Sequence, residues 1–207
     1  MRKIILTIAG CVVVLVCAVG FHLWQSEGKL AAGVAIANFD GVNVYDNGLL
    51  FSRSHGRHYA DDGYYYGQKW QCVEFVKRYL YQVKGHRMPD AMGNAIDFFD
   101  PNVPQGGLNR RRGMLQFAQG GAEPPRKGDL VVFGGAMGYG HVGIVVATGD
   151  GFIEVAQQNK APVRDHLSLV HTTDGYKLEA GLPPLGWLRV PAAGSRQGLR
   201  ALPRRGE

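Results

Sequence analysis

Residues 66–80 read YGQKWQCVEFVKRYL, and the fold turns on what happens at Cys72. An aromatic, glycine-containing loop stops there, and apolar residues then return at helical spacing. Cys72, Phe75, Val76, Tyr79, Leu80 and Val83 stand at i, i+3, i+4, i+7, i+8 and i+11. They form one stripe of an amphipathic helix, with Glu74, Lys77, Arg78 and Lys84 off it. Gly85 is the expected C′ residue that stops the helix. A cysteine at such a position has two readings. It packs as a small apolar residue, or it lies at the positive end of the helix dipole, where unpaired N–H groups favour a reactive thiolate.

Outward from this helix the chain changes character. Upstream, residues 51–67 (FSRSHGRHYADDGYYYG) hold turn formers without periodicity and read as a loop. Residues 25–45 read as a linker and an extended lead-in, with a first short strand at 33–37. Downstream, a second, shorter helix is expected over 91–99. Residues 100–127 are mostly loop chemistry, the kind of long loop that often rims a cleft. GDLVVFGG, HVGIVVATGDG and FIEVAQQN are β-branched runs parted by Gly and Asp turns, a strand-and-hairpin pattern. Segments 175–179 and 186–190 add two more strands. A helix followed by antiparallel strands makes the fold class α+β, with the main domain over 46–191.

Length and composition agree. A chain of 207 residues with 45% hydrophobic and 19% charged residues builds one core with appendages, and 30 glycines with 10 prolines argue against a helical bundle. Residues 4–24, after Met-Arg-Lys, carry no Asp, Glu, Lys or Arg and are long enough to cross a bilayer as a helix. Segment 1–24 therefore reads as a transmembrane anchor or as a signal peptide cleaved near Ala18-Val19-Gly20. A lipoprotein box at Cys11 is a weaker third reading. Each puts the domain outside the cytoplasm. Residues 192–207 form a basic tail expected to be disordered. The net charge of +6 is too mild to call for nucleic acid.

Export makes the cysteine count informative. Cys11 and Cys17 lie in the hydrophobic segment, so the exported part holds Cys72 alone. An unpaired thiol in an oxidising compartment needs a reason. A thiol nucleophile needs a base and a group that orients it. Of seven histidines, His141 differs by opening a strand, HVGIVV, where Gly143 leaves room beside the imidazole. Gln157 and Asn159, two apart and so expected on one strand face, each offer an amide oxygen to its far ring nitrogen. The backbone N–H of Cys72 is the natural oxyanion donor, with Gln71 or Tyr65 as the second. No metal site or phosphate-binding glycine loop is apparent, and no cofactor is expected. Asp61 and Asp62 read as loop-backbone binders.

YGQKWQCVEF, PPRKGDLVVF, GHVGIV and AQQN resemble, in order and spacing, the CHAP family of cysteine, histidine-dependent amidohydrolases/peptidases. The likeness is greatest to the amidase domains of the glutathionylspermidine synthetase/amidases, and covers roughly residues 33–190. It implies a papain-like fold in which a helix bearing the cysteine packs on a small antiparallel sheet bearing the histidine. It also implies amide hydrolysis through a thioester. By position Cys72 matches the nucleophile, His141 the base and Asn159 the asparagine of the family's E-Q-N run. Gln157 stands where the family has glutamate, which implies a weaker Cys–His ion pair unless Asn159 is the orienting group. Three functions are open on this reading. The favoured one is a monomeric, exported hydrolase of peptidoglycan peptides. The others are an amidase for a glutathionylspermidine-like peptide–polyamine conjugate and a catalytically weakened envelope-binding module.

Overall fold

Residues 12–21, 32–135 and 137–192 are described by the computed structural model of the chain. The stripe beginning at Cys72 forms a helix over Cys72–Lys84 (α2), preceded in the chain by a helical stretch at 12–21 (α1). Phe75, Val76, Tyr79 and Leu80 are none of them more than 1% exposed. Burying four such side chains contributes on the order of 6–12 kcal/mol before chain entropy is set against it. Gly85 ends α2 as expected. Its φ of 57° is left-handed and cheap only for glycine, and it lets the His86 N–H reach the Leu80 carbonyl at 3.0 Å.

Two hairpins precede α2: Ala35–Phe39 (β1) with Val42–Tyr45 (β2), and Arg57–Tyr59 (β3) with Tyr65–Gln68 (β4). The other strands are Gly107–Asn109 (β5), Met114–Ala118 (β6), Leu130–Phe133 (β7), His141–Gly149 (β8), Phe152–Ala156 (β9), Arg164–Thr172 (β10), Gly175–Glu179 (β11) and Pro184–Arg189 (β12). They form one antiparallel sheet in the order β11-β10-β9-β8-β7-β12-β6-β5. The class is α+β, and the sheet is larger than expected.

Apolar residues split to the two sides of this sheet. Leu130, Val132, Val142, Ile144 and Leu188 join α2 and the β2 residues Val42 and Val44 in one core. Val131, Phe133, Val145, Val155 and Trp187 pack in a second. A strand buried on both faces reads as an unbroken apolar run, which is why LVVF shows no alternation.

The differences from expectation have local causes. The helix expected over 91–99 is a single 3-10 turn, Ala95–Phe98. Gly93, with φ 104°, bounds it before, and Pro101 biases Asp100 to extended backbone after. The 51–67 loop contains β3 and β4. The β1–β2 hairpin buries Val42 and Val44, so the folded unit begins inside the stretch read as linker. α1 is described over residues 12–21, and no helix among the described residues is long and apolar enough to cross a membrane. The rest of segment 1–24 and the basic tail from 193 lie outside the described residues.

Candidate functional site

Cys72 is the first residue of α2, half-buried at the edge of the main core. Backbone N–H groups of Val142, Val73 and Cys72 itself are aimed at its sulfur. Val142 follows His141, so the first turn of α2 meets the first residues of β8. His141 is buried, with its ring beside Phe133 (centroids 6.0 Å apart).

The far side of the imidazole is fixed by Gln157, which is 1% exposed. His141 Nε2 lies 2.9 Å from Gln157 Oε1. The other end of the amide decides its orientation. Gln157 Nε2 donates to the Pro162 carbonyl at 2.7 Å and faces Asp165 Oδ2 at 3.4 Å, and both partners only accept. The amide oxygen must therefore face His141, so Nε2 carries the ring proton and Nδ1 is left as the basic nitrogen. Gly143 permits this approach, because a Cβ there would meet Val155 Cγ1 at 2.4 Å and the Ala156 carbonyl at 2.9 Å.

A carboxylate at 157 would face the Pro162 carbonyl and Asp165. It could satisfy Pro162 only by keeping its proton, and then it brings no charge to His141. Restoring the family's acid by Gln157→Glu is therefore expected to give kcat/KM no higher than the native chain's. A rise would show that the amide limits the base.

Electrostatics set the resting state. Burial pushes the Cys72 thiol up, and that outweighs the three N–H groups which favour the thiolate. Desolvation likewise lowers His141 to about 4, against the smaller upward pull of its bond to Gln157. The pair at rest is neutral thiol and neutral imidazole. The thiolate expected from the helix dipole loses to desolvation. Because folding lowers the histidine from its ordinary 6.5, the stability tied to its neutral form is present above pH 6.5. It is lost as pH falls toward about 4, at on the order of 1.4 kcal/mol per pH unit. Urea melts across this window should show that slope, and His141→Gln should flatten it.

β9 ends at Ala156, and Asn159 takes a left-handed φ of 60°, so strand alternation does not extend through A-Q-Q-N. The run fans out instead. Gln157 faces His141. Gln158 donates to the Gln71 carbonyl (3.0 Å) and to Glu74 Oε2 (2.7 Å), and accepts from the Tyr45 N–H (2.8 Å). Asn159 donates to Gln71 Oε1 and the Phe51 carbonyl, each at 2.6 Å, and accepts from Asn47 Nδ2 at 3.1 Å. Asn159 thus staples the loop before α2, and the histidine partner is Gln157.

Of the two side chains expected as oxyanion donors, Gln71 has its amide nitrogen engaged elsewhere. Gln71 Nε2 is committed to the carbonyls of Phe51 (2.9 Å) and Arg53 (3.3 Å). Tyr65 packs on Tyr59 and under the Lys77 ammonium, five residues along α2 from Cys72. The backbone N–H of Cys72 stays at the open first turn.

Among the described residues no three of His, Cys, Asp and Glu stand close enough to hold a metal. Asp62 accepts from the Tyr64 N–H at 3.1 Å and the Tyr81 hydroxyl at 2.7 Å, as a loop-backbone residue does. Sequence reasoning did not find Asp165 behind Gln157, nor the buried Glu74, which holds His58, Arg78 and Gln158 together. The signal for Glu74 was present, since a carboxylate and Arg78 at i and i+4 make a helical ion pair.

A buried imidazole with one nitrogen held by an amide opens the strand that packs on the helix beginning at Cys72. Residues 62–159, which include Cys72, His141, Gln157 and Asn159, match the family model of the CHAP domain. The chain is 26% identical over 155 residues to trypanothione synthetase of Crithidia fasciculata, covering 68% of this chain and 24% of that one. It is 31% identical over 140 residues to the bifunctional glutathionylspermidine synthetase/amidase of Escherichia coli (strain K12), covering 64% and 22%. The enzyme of the same name from Shigella flexneri matches equally. The chain spans about a quarter of the length of these curated relatives. Together these likenesses support a cysteine-dependent amidohydrolase.

Proposed function

We propose that this chain is an exported cysteine amidohydrolase/endopeptidase that cuts amide bonds in peptidoglycan peptides, on a papain-like arrangement of helix and sheet. The observation that carries amide hydrolysis is the 2.9 Å bond from His141 Nε2 to Gln157 Oε1, which leaves Nδ1 as the basic nitrogen of a histidine at the start of β8, the strand whose Val142 N–H is aimed at the Cys72 sulfur. In the first half-reaction the Cys72 sulfur bonds to the amide carbonyl carbon while Nδ1 takes the thiol proton. The oxyanion accepts from the Cys72 backbone N–H. The C–N bond then breaks, the amine leaves with the proton from Nδ1, and a thioester remains. Water attacks that thioester as Nδ1 takes its proton, the acid is released and the thiol is reprotonated.

Two exposed apolar rims support a peptide strand as substrate. Leu50 and Phe51 lie on the loop stapled by Asn159 and Gln71. Met137 and Tyr139 lie on the loop ahead of His141. Export rests on segment 1–24, read as an anchor or a cleaved signal, and the protein is taken to act as a monomer without cofactor.

The relatives' names favour a second substrate, a glutathionylspermidine-like conjugate. Incubating the purified chain with sacculi and, separately, with glutathionylspermidine separates the two when products are read by mass spectrometry. Released stem-peptide fragments support the first reading, and free glutathione with spermidine supports the second. Turnover of neither leaves only an envelope-binding role.

A further inference from the structure

Gln157 cannot supply charge to His141, yet a carboxylate stands directly behind it. Asp165 lies on β10 opposite Val155 of β9, with Oδ2 3.4 Å from Gln157 Nε2 and 3.3 Å from Lys160 Nζ. Asp165 lies outside the matched CHAP stretch, which ends at residue 159. Resting on the amidohydrolase reading above, we propose that Asp165 is a positioning residue for His141. Its carboxylate acts through the Gln157 amide to favour the imidazolium, and Lys160 opposes it.

Two observations carry this. The chain His141–Gln157–Asp165 is continuous and points one way: the ring donates to the amide oxygen, and the amide nitrogen donates toward the carboxylate. A negative charge at its end polarises the amide so that its oxygen becomes a better acceptor when the ring is protonated. A crevice lined by Gln157, Lys160, Asp165, Phe133 and Leu167 lies on the same side, so this ion pair sits next to a buried amide.

The other charged groups near the ring are spoken for. α2 packs against β8, and its charged Glu74 and Arg78 are paired with each other. Glu154 of β9 is held by Arg164 Nε at 2.9 Å. Asp97, on the 3-10 turn packed against β7 and β8, accepts from the Asn94 N–H at 2.8 Å. That leaves Asp165 pulling the histidine up and Lys160 pulling it down, both weaker than the desolvation that dominates.

The test is a pH titration of the His141 ring by long-range proton–nitrogen NMR on the full chain, with Asp165→Asn, Asp165→Glu and Lys160→Gln as variants. The native ring should show a protonated Nε2 and a bare Nδ1. Asp165→Asn should move its titration to lower pH, Lys160→Gln to higher pH, and Asp165→Glu should stay with the native chain. At neutral pH, Asp165→Asn should lower kcat by about three- to tenfold with KM little changed, as a weakened base does. Titrations that stay put in both Asn and Gln variants, or that shift the same way, overturn the proposal. If Asp165→Asn does not fold, Asp165→Glu and Lys160→Gln decide it alone. The titration needs no substrate. Opposite shifts in a chain that cuts no amide bond would keep the positioning role and remove the enzymatic reading.

Discussion

Cys72→Ala leaves the fold intact and removes turnover, with a loss of at least about 10⁴-fold against either amide substrate. The side chain is small, half-buried and at the margin of the core, so its truncation forms little cavity. On the proposed thioester route, what disappears is the atom that forms the covalent bond, and His141 alone would be too weak a base to activate water equally well. His141→Ala should approach the same loss, because the two act as a unit and their effects do not add. The resting state gives a second readout on the same protein. Since burial holds Cys72 as a thiol, iodoacetamide should label it slowly at neutral pH and faster as pH rises. Labelling already fast and pH-independent near pH 5 would mean that a thiolate–imidazolium pair exists before substrate arrives. Full turnover in Cys72→Ala would sink the thioester route.

The helix at Cys72, its end at Gly85, and the strands carrying LVVF and HVGIVV were legible because each buries an apolar set with a clear period or an unbroken run. β10 was not legible. Most of it is exposed or only half-buried, so burial imposes no alternation on RDHLSLVHT, and backbone pairing to β9 and β11 holds it in the sheet. β5 and β6 hid among glycines and arginines. One of these, Arg112, is fully buried and donates to the carbonyls of Asp90, Met92 and Asp97, which no local pattern announces. In the candidate site, the start of a helix at Cys72 and of a strand at His141 followed from spacing, and Gln157 was one of two amides expected beside that histidine. Asn159 was misplaced because strand periodicity was carried past Ala156 into a turn with a left-handed residue. Asp165 was invisible because its tie to Gln157 passes between strands and leaves no mark on spacing.

Glu74→Ala is the substitution expected to cost the fold most outside the apolar core, about 3–5 kcal/mol, or roughly 6–20 °C in Tm for a domain of this size. Glu74 is fully buried, and so, nearly, is Arg78. The carboxylate accepts from His58 Nδ1 at 2.7 Å, Arg78 Nε at 2.6 Å and Gln158 Nε2 at 2.7 Å. Burial alone pushes its pKa up, but the hydrogen bonds from His58, Arg78 and Gln158 outweigh that and hold it below 4.5. Removing it strands a buried guanidinium, whose desolvation was tolerable only with that partner. Glu74→Gln keeps the shape but sets an amide NH₂ among the Arg78 and Gln158 N–H groups, which only donate, so it should recover only part of the loss. The stability tied to the charge is present above pH 4.5 and disappears as pH falls through the lowered folded value, so both variants should lose less stability in acid than the native chain. The consequence reaches function through Gln158, which bridges Glu74 to the Gln71 carbonyl immediately before Cys72. A Glu74→Ala protein held folded at low temperature should therefore still lose turnover, because the start of α2 is no longer tied to the strand end that bears Gln157. A melt within about 1 kcal/mol of native would show that Arg78 finds water or another partner. The site would then be held by the core alone.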